Sequence, residues 1–562
     1  MRHASLLAVA ALLLAMPAAA DVSLVPPAQA AAQSSQLGAG EGERYRLIFQ
    51  ALRAGDYSQA SAILDMVSDG PLKAVARAEL LLANPAGRDP SKVAELLAAA
   101  PELPEAPALA KMSPVGAALP IQHALVRAGG PSKRAPSRPA RDCAMLAAQV
   151  QPLLRTGDAA AAEILVEAAS GSIAPEALTE WRYKVAWAYF QGDDDVSARR
   201  LGMLAQTGAG DWAVDAAWVS GLAAWRMRDF RGAADTFARV ASNAGDDETK
   251  AAGLFWAARS DLAAGNEAGA NPRLLVASRL GETFYGMLAS AALGLPLEPP
   301  GFLADETADT LKRPNLLRAA ALIEIGEAAL ADQFIRYEAR IGEPAQHPAL
   351  IAFAAKLGLP ATQVWLARNM PAGTRTSLAA RFPRPGWSPV QGWRVDPALI
   401  YAHALQESEF RNEAVSPSGA RGLMQIMPAT AQMIARHKGD IVRSLNDPSV
   451  SFEYGQSYLE ELAINAGTAG LLPKVIAAYN AGPNNVARWT AGGDDPLLFI
   501  ESIPFAQTRA YVAIVLRNYW IYQREAGTAV PSLTAMAQGR WPRFPTHADR
   551  TAQAAGASYA PN

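Results

Sequence analysis

Cysteine is almost absent from this chain, because Cys143 is the only one in 562 residues. A single thiol cannot form an internal disulfide, and the neighbours Asp142, Ala144 and Met145 supply no base that would activate it. The six histidines show no spacing typical of metal ligands. The sequence therefore predicts neither a disulfide framework nor a metal site, and no cofactor is expected.

Net charge is also low, at −2, so the composition predicts no overall attraction to nucleic acid or to anionic lipid. Half of the residues are hydrophobic and only 19% are charged, which is typical of a closely packed, soluble helical protein. A chain of 562 residues is too long for one core. We expect about two to four domains.

Hydrophobic runs long enough to cross a membrane, which needs roughly 20 residues, are missing as well. The apolar run from Leu6 to Met16 is shorter, follows Arg2 and precedes small residues that end at Ala20. This pattern predicts a secretory signal peptide over 1–20 and export to the periplasm, not a stable membrane anchor. The following residues, 21–42, have no periodic apolar face and are expected to form a flexible leader.

What the chain does have, from residue 43 onward, is a repeated alternation of short amphipathic helices and similar turns. These turns are Gly55-Asp56-Tyr57, Gly157-Asp158, Gln191-Gly192-Asp193 and Arg228-Asp229-Phe230. A spacing of roughly 35 residues is typical of tetratricopeptide-like helical hairpins, which must stack to bury their apolar faces. We expect an α-solenoid over 43–380. Its aromatic residues at mostly helical spacing are predicted to pack between hairpins and not to form a platform for sugars: Trp181, Tyr183, Trp187, Tyr189, Trp212, Trp218, Trp225 and Trp256.

A cluster of prolines and glycines over 371–397 marks the end of this region. We expect a linker at 381–396, a second domain at 397–540 and a disordered tail at 541–562.

The second domain opens with a predicted helix that carries Glu407. Asp396 can cap this helix, Pro397 suits its first position, and apolar residues recur at helical spacing after it. Glu407 would lie near the C-terminal end, where the helix dipole and apolar neighbours both raise the pKa of a carboxyl group. A carboxylic acid that stays protonated near neutral pH can donate a proton to the leaving oxygen of a glycosidic bond.

Several motifs around Glu407 resemble those of the soluble lytic transglycosylases, whose catalytic domain is similar to goose-type lysozyme. They occur in the order of that family, which makes coincidence a poor explanation. In this sequence they read Glu407-Ser408, Ser416-Pro417, Gly419-Ala420, Gly422-Leu423-Met424-Gln425-Ile426-Met427-Pro428, Ala478-Tyr479-Asn480-Ala481-Gly482 and Glu501-Ser502-Ile503-Pro504-Phe505. Upstream, Thr283-Phe284-Tyr285-Gly286 resembles part of the superhelical domain of the same enzymes, with weaker specificity.

The resemblance implies an all-α protein, with an α-solenoid followed by a lysozyme-like domain that acts on peptidoglycan glycan strands. It implies that the N-acetyl group of the sugar assists bond cleavage, and that Glu407 then takes the proton of the 6-hydroxyl. The product would be a 1,6-anhydro sugar. This agrees with the sequence after Glu407, where 411–430 contains only Glu413 as a further carboxylate and no evident nucleophile.

Other residues of the motifs are expected to bind substrate. Ser416 could hydrogen-bond the N-acetyl group, although plain turn chemistry is the alternative. Met424, Gln425 and Met427 are expected to line the subsite. The remaining candidates are Tyr479, Asn480, Glu501 and Tyr511.

Two of these assignments carry alternatives. The resemblance implies that Glu501 organises the groove, whereas an ion pair with Arg509 or a helix cap is the plainer interpretation. His403, one turn before Glu407, could tune that acid, but a satisfied core histidine is favoured.

Two other functions remain open at the level of sequence. A true hydrolase, lysozyme or chitinase, would differ in its product, and a non-catalytic scaffold could bind glycan while the solenoid recruits other cell-wall enzymes. An intact Glu407 argues against the scaffold.

Overall fold

The computed structural model describes residues 36–85, 89–113, 116–127, 143–208, 210–296, 303, 312–374 and 376–546. The predicted signal peptide, most of the predicted leader and residues 547–562 of the predicted tail lie outside these ranges. Within them the chain is mostly helical and has almost no strands, which confirms the predicted all-α fold. None of the described helices is both long and apolar enough to cross a membrane.

The first group of helices begins at Glu41, two residues before the predicted start of the solenoid. It comprises α1 Glu41–Ala54, α2 Tyr57–Leu64, α3 Lys73–Ala83, α4 Pro90–Ala99 and α5 Ala106–Ala110.

The second group comprises α6 Ala144–Thr156, α7 Ala159–Ala168, α8 Pro175–Gln191, α9 Asp195–Ala205, α10 Trp212–Arg226, α11 Phe230–Asn243, α12 Asp247–Ala263, α13 Glu267–Ser278 and α14 Phe284–Ala292. The predicted turns are present between them. Asp158 and Asp229 accept hydrogen bonds from the backbone N–H groups of Ala161 and Gly232, and so cap the second helix of their pairs.

The third group comprises α15 Pro314–Glu324, α16 Ala328–Ile341, a 3₁₀ turn Pro344–Gln346, α17 His347–Lys356, α18 Pro360–Arg368 and α19 Leu378–Arg381. It shares a hydrophobic core with α1–α5, in which Tyr45 and Phe334 are fully buried. The short strand β1 Val126–Arg127 also pairs antiparallel with β2 Asn369–Met370. The two ends of the solenoid therefore meet, a long-range contact that helical periodicity does not predict.

The aromatic residues of the second group pack between hairpins, as predicted. Trp256 is fully buried, and Trp218, Trp225 and Phe237 surround it at ring centroid separations of 5.5 to 6.3 Å.

The second domain comprises α20 Pro397–Ser408, α21 Pro428–Lys438, α22 Pro448–Ile464, α23 Leu472–Ala481, α24 Pro483–Val486, α25 Pro496–Ser502, α26 Ala506–Glu525 and α27 Pro531–Ala537. Its helices share a core with α6–α14. Phe284 of α14, for example, stacks on Trp520 of α26 with ring centroids 5.1 Å apart. The two predicted domains are thus joined through apolar contacts and not only through a linker.

The expected linker 381–396 is also packed against the second domain in its last residues. The backbone N–H of Gln391 donates to Glu453, and Arg394 forms ion pairs with Glu453 and Glu460 of α22. Asp396 accepts the N–H of Ala398 at the start of α20, which confirms the predicted cap.

The predicted disordered tail is wrong for residues 541–546. Trp541 packs on Phe499 with ring centroids 5.4 Å apart, the N–H of Leu472 donates to the Pro542 carbonyl, and Thr546 forms a β-bridge with Val395. The prolines and polar residues of this segment suggested disorder. Its aromatic and backbone partners lie at least 40 residues away in sequence, so the local composition does not predict them.

Truncation tests this correction. A chain ending at Arg540 should be less stable than one ending at Thr546, because it loses a packed tryptophan and several backbone hydrogen bonds. We expect a free energy of unfolding lower by about 2–4 kcal/mol, and a lower unfolding temperature. Thermal and urea unfolding of the two chains provide the measurement. Equal stability would show that residues 541–546 contribute nothing to the domain.

Candidate active site

Glu407 lies one residue before the end of α20, where the chain reverses sharply. Glu409 and Phe410 have φ angles of 53° and 62°, in the left-handed region. The Ser408 hydroxyl lies within hydrogen-bond distance of two carbonyl oxygens, Ala404 at 3.0 Å in the helix and Leu423 at 2.9 Å in the following loop. The turn thus ties the catalytic candidate to the loop that carries the next motif.

Burial raises the pKa of the Glu407 carboxyl to about 7, while a hydrogen bond from Tyr511 acts in the opposite direction. The Tyr511 hydroxyl donates to Oε1 of Glu407 over 2.5 Å. The raised pKa confirms the sequence-based expectation, and its cause is loss of solvent around the carboxyl group. Near neutral pH this group is divided between its acid and carboxylate forms.

His403 extends this contact into a chain of three polar residues. Its Nδ1 lies 2.8 Å from the Tyr511 oxygen, and burial lowers the pKa of the imidazole to about 3, so the ring is neutral. Because the Tyr511 proton is directed to Glu407, Nδ1–H of His403 is the donor to Tyr511. His403 is therefore a buried histidine that also orients the hydroxyl beside the acid. Its spacing of four residues from Glu407 was the only sequence signal.

Tyr479 and Met424 form the wall next to this chain. The Tyr479 ring lies 4.6 Å from the His403 ring, and its hydroxyl donates to the Met424 carbonyl over 2.7 Å. The Met424 side chain is fully buried against Gly455, where an added Cβ would come within 2.6 Å of the Met424 Cγ. Met424 therefore acts through its backbone and its packing.

Gln425 and Ser416 hold the loop that follows Glu407. The Gln425 amide donates to the carbonyls of Ala414 and Gly422 over 3.0 and 2.9 Å, and the Ser416 oxygen accepts the N–H of Ala420. This geometry supports turn chemistry for Ser416. Its hydroxyl donates to none of the other residues within the described ranges.

Gly422 allows this loop to fit against the segment that precedes α22. Its φ is 75°, and a Cβ there would lie 2.1 Å from the Leu445 carbonyl oxygen. Met427 ends the loop and is 41% exposed, which leaves its side chain accessible.

Asn480 lies beside Tyr479 at the end of α23. Its amide oxygen accepts a hydrogen bond from the Thr508 hydroxyl over 2.7 Å. That contact orients the amide, and its NH₂ group has no hydrogen-bond partner among the residues that the structure describes.

Glu501 has hydrogen-bond partners in the solenoid. Its buried carboxylate accepts hydrogen bonds from Trp218 Nε1, at 3.2 Å, and from the Tyr285 hydroxyl, both of which belong to the solenoid. Burial raises the pKa of Glu501, and the positive charge of Arg509 opposes this shift. A helix cap does not describe this carboxylate, because both of its donors lie more than 200 residues upstream in the solenoid. Its role in organising the groove stays a prediction.

Comparisons with known proteins find similarity over the segment that contains Glu407. Residues 389–495 match the family model described as the transglycosylase SLT domain. Over 156 residues the chain is 36% identical to the soluble lytic murein transglycosylase of Escherichia coli K12, and over 146 residues it is 37% identical to that of Salmonella typhimurium. This part of the chain is therefore similar to the transglycosylase SLT domain and to the soluble lytic murein transglycosylases.

The sequence matches to these relatives are confined to part of the molecule. They cover 26% and 24% of this chain, and 24% and 22% of the Escherichia coli and Salmonella proteins. The alignable segment thus spans about a quarter of the curated relatives.

The structural likeness extends much further than the sequence match. The crystal structure of the 70 kDa soluble lytic transglycosylase of Escherichia coli superposes with a TM-score of 0.54 at 20% identity, covering 90% of this chain and 99% of that one. An inactive glutamate-to-glutamine mutant of lytic transglycosylase Slt from Pseudomonas aeruginosa superposes with a TM-score of 0.52 at 19% identity, covering 90% and 92%. The solenoid and the second domain together therefore have the fold of these two proteins.

The hydrogen bond from Tyr511 can be tested by titration. In a Tyr511→Phe variant the pKa of Glu407 should rise further, by about one unit, because the carboxylate loses its donor while its burial is retained. Carbon NMR of labelled glutamate provides the measurement. Tyr479→Phe is the matched control, because that hydroxyl bonds to the Met424 carbonyl and not to Glu407. An unshifted titration in Tyr511→Phe would contradict this geometry.

Proposed function

We propose that this chain is a lytic transglycosylase that cleaves the β-1,4 bond between MurNAc and GlcNAc in peptidoglycan and leaves a 1,6-anhydro-MurNAc end. The observation that carries the proposal is the half-buried carboxyl group of Glu407, whose pKa is raised to about 7 by loss of solvent. Such a group can serve as acid and as base in the same catalytic cycle at neutral pH.

In the first step, protonated Glu407 donates its proton to the glycosidic oxygen as the bond from that oxygen to C1 of MurNAc breaks. The N-acetyl oxygen of the same sugar stabilises the positive charge that develops at C1. Glu407 becomes a carboxylate, and the Tyr511 hydroxyl at 2.5 Å continues to donate to it. This hydrogen bond stabilises the ionised state, because donors to a carboxylate lower its pKa.

In the second step, the 6-hydroxyl oxygen of MurNAc attacks C1 and its proton passes to Glu407. The acid is thereby restored, and no water is consumed. Three further carboxylates of this part of the fold support a mechanism with one acid, because they have partners elsewhere. Glu409 pairs with Arg368, Glu453 pairs with Arg394 and Lys438, and Glu501 bonds to Trp218 and Tyr285.

The residues around Glu407 then have proposed roles in substrate binding. The Ser416 hydroxyl and the Asn480 amide supply donors for the N-acetyl group, and the exposed Met427 offers an apolar contact to a sugar face. Met424, Gln425 and Tyr479 shape the wall. Glu501 acts at a distance, by joining this domain to the solenoid.

The substrate and the compartment follow from the same proposal. The relatives are named as murein transglycosylases, and one neighbour of known structure, at 20% identity, is a complex of the 70 kDa enzyme with bulgecin A. We infer that peptidoglycan strands are the substrate, that no metal or cofactor takes part, and that the predicted signal peptide over 1–20 directs the protein to the periplasm.

Product analysis tests the reaction. Purified peptidoglycan digested with the full chain should yield muropeptides with 1,6-anhydro ends, identified by mass spectrometry from the absence of one water. The Glu407→Gln variant should lose on the order of a hundred- to ten-thousand-fold in turnover, since it keeps the shape of the side chain but has no transferable acid proton. Reducing-end products would favour a hydrolase, and glycan binding without turnover by the unmodified chain would favour the scaffold.

The raised pKa of Glu407 also predicts how stability depends on pH. The folded value of about 7 exceeds the ordinary value of 4.5, so the folded state binds the proton more tightly and loses stability as pH rises through this window. Glu407→Gln removes that cost. It should therefore stabilise the chain at pH 8 by about 2–3 kcal/mol, and by much less at pH 4.

Unfolding by heat and by urea at the two pH values provides the measurement. The Glu413→Gln variant is the control, because Glu413 is exposed. If Glu407→Gln raises the free energy of unfolding equally at both pH values, the stabilisation does not come from removing the carboxyl group with the raised pKa.

A further inference from the structure

A pocket of about 270 Å³ lies between the end of the solenoid and the turn that follows α20. The solenoid contributes Arg127 of β1, Arg336 of α16, and Ala361 and Trp365 of α18. The catalytic domain contributes residues just beyond Glu407. The pocket is lined by Arg127, Arg336, Ala361, Trp365, Glu409 and Arg411.

Positive charge is in excess around this arginine pocket. Glu409 is paired with Arg368 and lies 4.0 Å from Arg127, while Asp332 pairs with Arg336. The residues that line the pocket, together with their ion-pair partners, include two carboxylates and four guanidinium groups. The carboxylates are Glu409 and Asp332, and the guanidinium groups are those of Arg127, Arg336, Arg368 and Arg411. Two positive charges are therefore left for an anionic ligand.

The guanidinium groups of the pocket also keep donors available. In the hydrogen bonds between described residues, Arg336 uses Nε toward Asp332 and Arg411 uses Nε toward the Ser408 carbonyl. Their terminal nitrogens can then present the planar fork that matches a carboxylate. Arg336 lies over the Trp365 ring at 4.7 Å, which fixes the orientation of its plane.

The pocket is joined directly to the catalytic segment. Arg411 and Glu409 follow Glu407 by four and two residues, and the Arg411 side chain bonds to the carbonyl of Ser408, the residue next to the acid. The pocket therefore shares its backbone segment with the acid, within reach of a short peptide whose extended residues each span about 3.3–3.6 Å.

We propose that this arginine pocket binds a carboxylate of the short peptide that muramic acid carries in peptidoglycan. The inference rests on the proposed function and identifies which part of that substrate the solenoid recognises. In a peptide-bearing strand the lactyl group of MurNAc is an amide and the sugars are uncharged, so the peptide supplies the anionic groups. The solenoid would thus recognise the peptide while the catalytic domain binds the glycan, and the peptide contact would position the reacting bond.

The test compares two forms of one substrate with the full chain. Soluble, uncrosslinked peptide-bearing strands are used as isolated, and again after their peptide carboxylates have been converted to amides. The readout is the ratio of kcat/KM on the native strands to that on the amidated strands. Unmodified protein should prefer the native strands roughly tenfold, a typical effect of charge-assisted hydrogen bonds, and added salt should reduce the preference.

The Arg127→Gln/Arg336→Gln double variant should lose this preference, so that its ratio falls to about one. Arg127→Gln alone should lower the ratio by a smaller amount. The Arg127 side chain is 70% exposed, so this variant is expected to fold. Arg231→Gln, an exposed arginine of α11 outside the pocket, is the matched control and should retain the ratio. Thermal unfolding of all variants verifies that they are folded.

The outcomes separate this inference from the proposed function. Both substrates could be cleaved to anhydro products while the pocket variants leave the ratio of kcat/KM values unchanged. That result would overturn the proposed binding of peptide in the pocket, but not the proposed transglycosylase activity. A ratio of one in the unmodified protein would overturn it as well. If neither substrate is cleaved, the proposed function is contradicted, and this inference with it.

Discussion

The active-site region depends on keeping one carboxyl group largely out of water while holding it in place. Glu407 achieves this through the packing of α20 against α26. Asp396, at the start of α20, accepts hydrogen bonds from Tyr519 and Gln523, and Glu407, near its end, accepts one from Tyr511. The two helices therefore run antiparallel, and α26 contacts both ends of the catalytic helix. A change in the spacing of these helices would alter the solvation of the acid, and with it the pKa of Glu407.

The loop after α20 adds a second constraint, because it must return to the helix without admitting water. Ser408 and Gln425 satisfy carbonyl groups of the loop, and Gly422 lies where any side chain would collide with the Leu445 carbonyl. Tyr479 satisfies the Met424 carbonyl from the other side. Buried carbonyl groups without donors are costly, so these contacts are needed for the dry site that raises the pKa of Glu407.

The solenoid is physically part of the same structure. The carboxylate of Glu501 is buried between the domains with donors from Trp218 and Tyr285, and Phe284 stacks on Trp520. On another side, Arg368 of α18 pairs with Glu409 immediately after the catalytic helix. Because these contacts reach α25, α26 and the end of α20, the solenoid can influence the position of the catalytic groups as well as access to them.

The sequence alone determined the helical class, the alternation of short helices and aspartate-capped turns, and the cap at Asp396. These features are local, because helical periodicity and capping depend on residues within a few positions of each other. The position of Glu407 in an apolar helix was local too, and it was enough to predict a raised pKa.

Only the tertiary structure decided what lies around these local elements. Tyr511, 104 residues after Glu407, and His403 beside it complete the polar chain at the acid. Glu501 faces the solenoid, and residues 541–546 pack on the catalytic domain although their composition suggested disorder. These contacts join positions from about 40 to more than 200 residues apart, so they follow from which surfaces bury one another and not from any pattern along the chain.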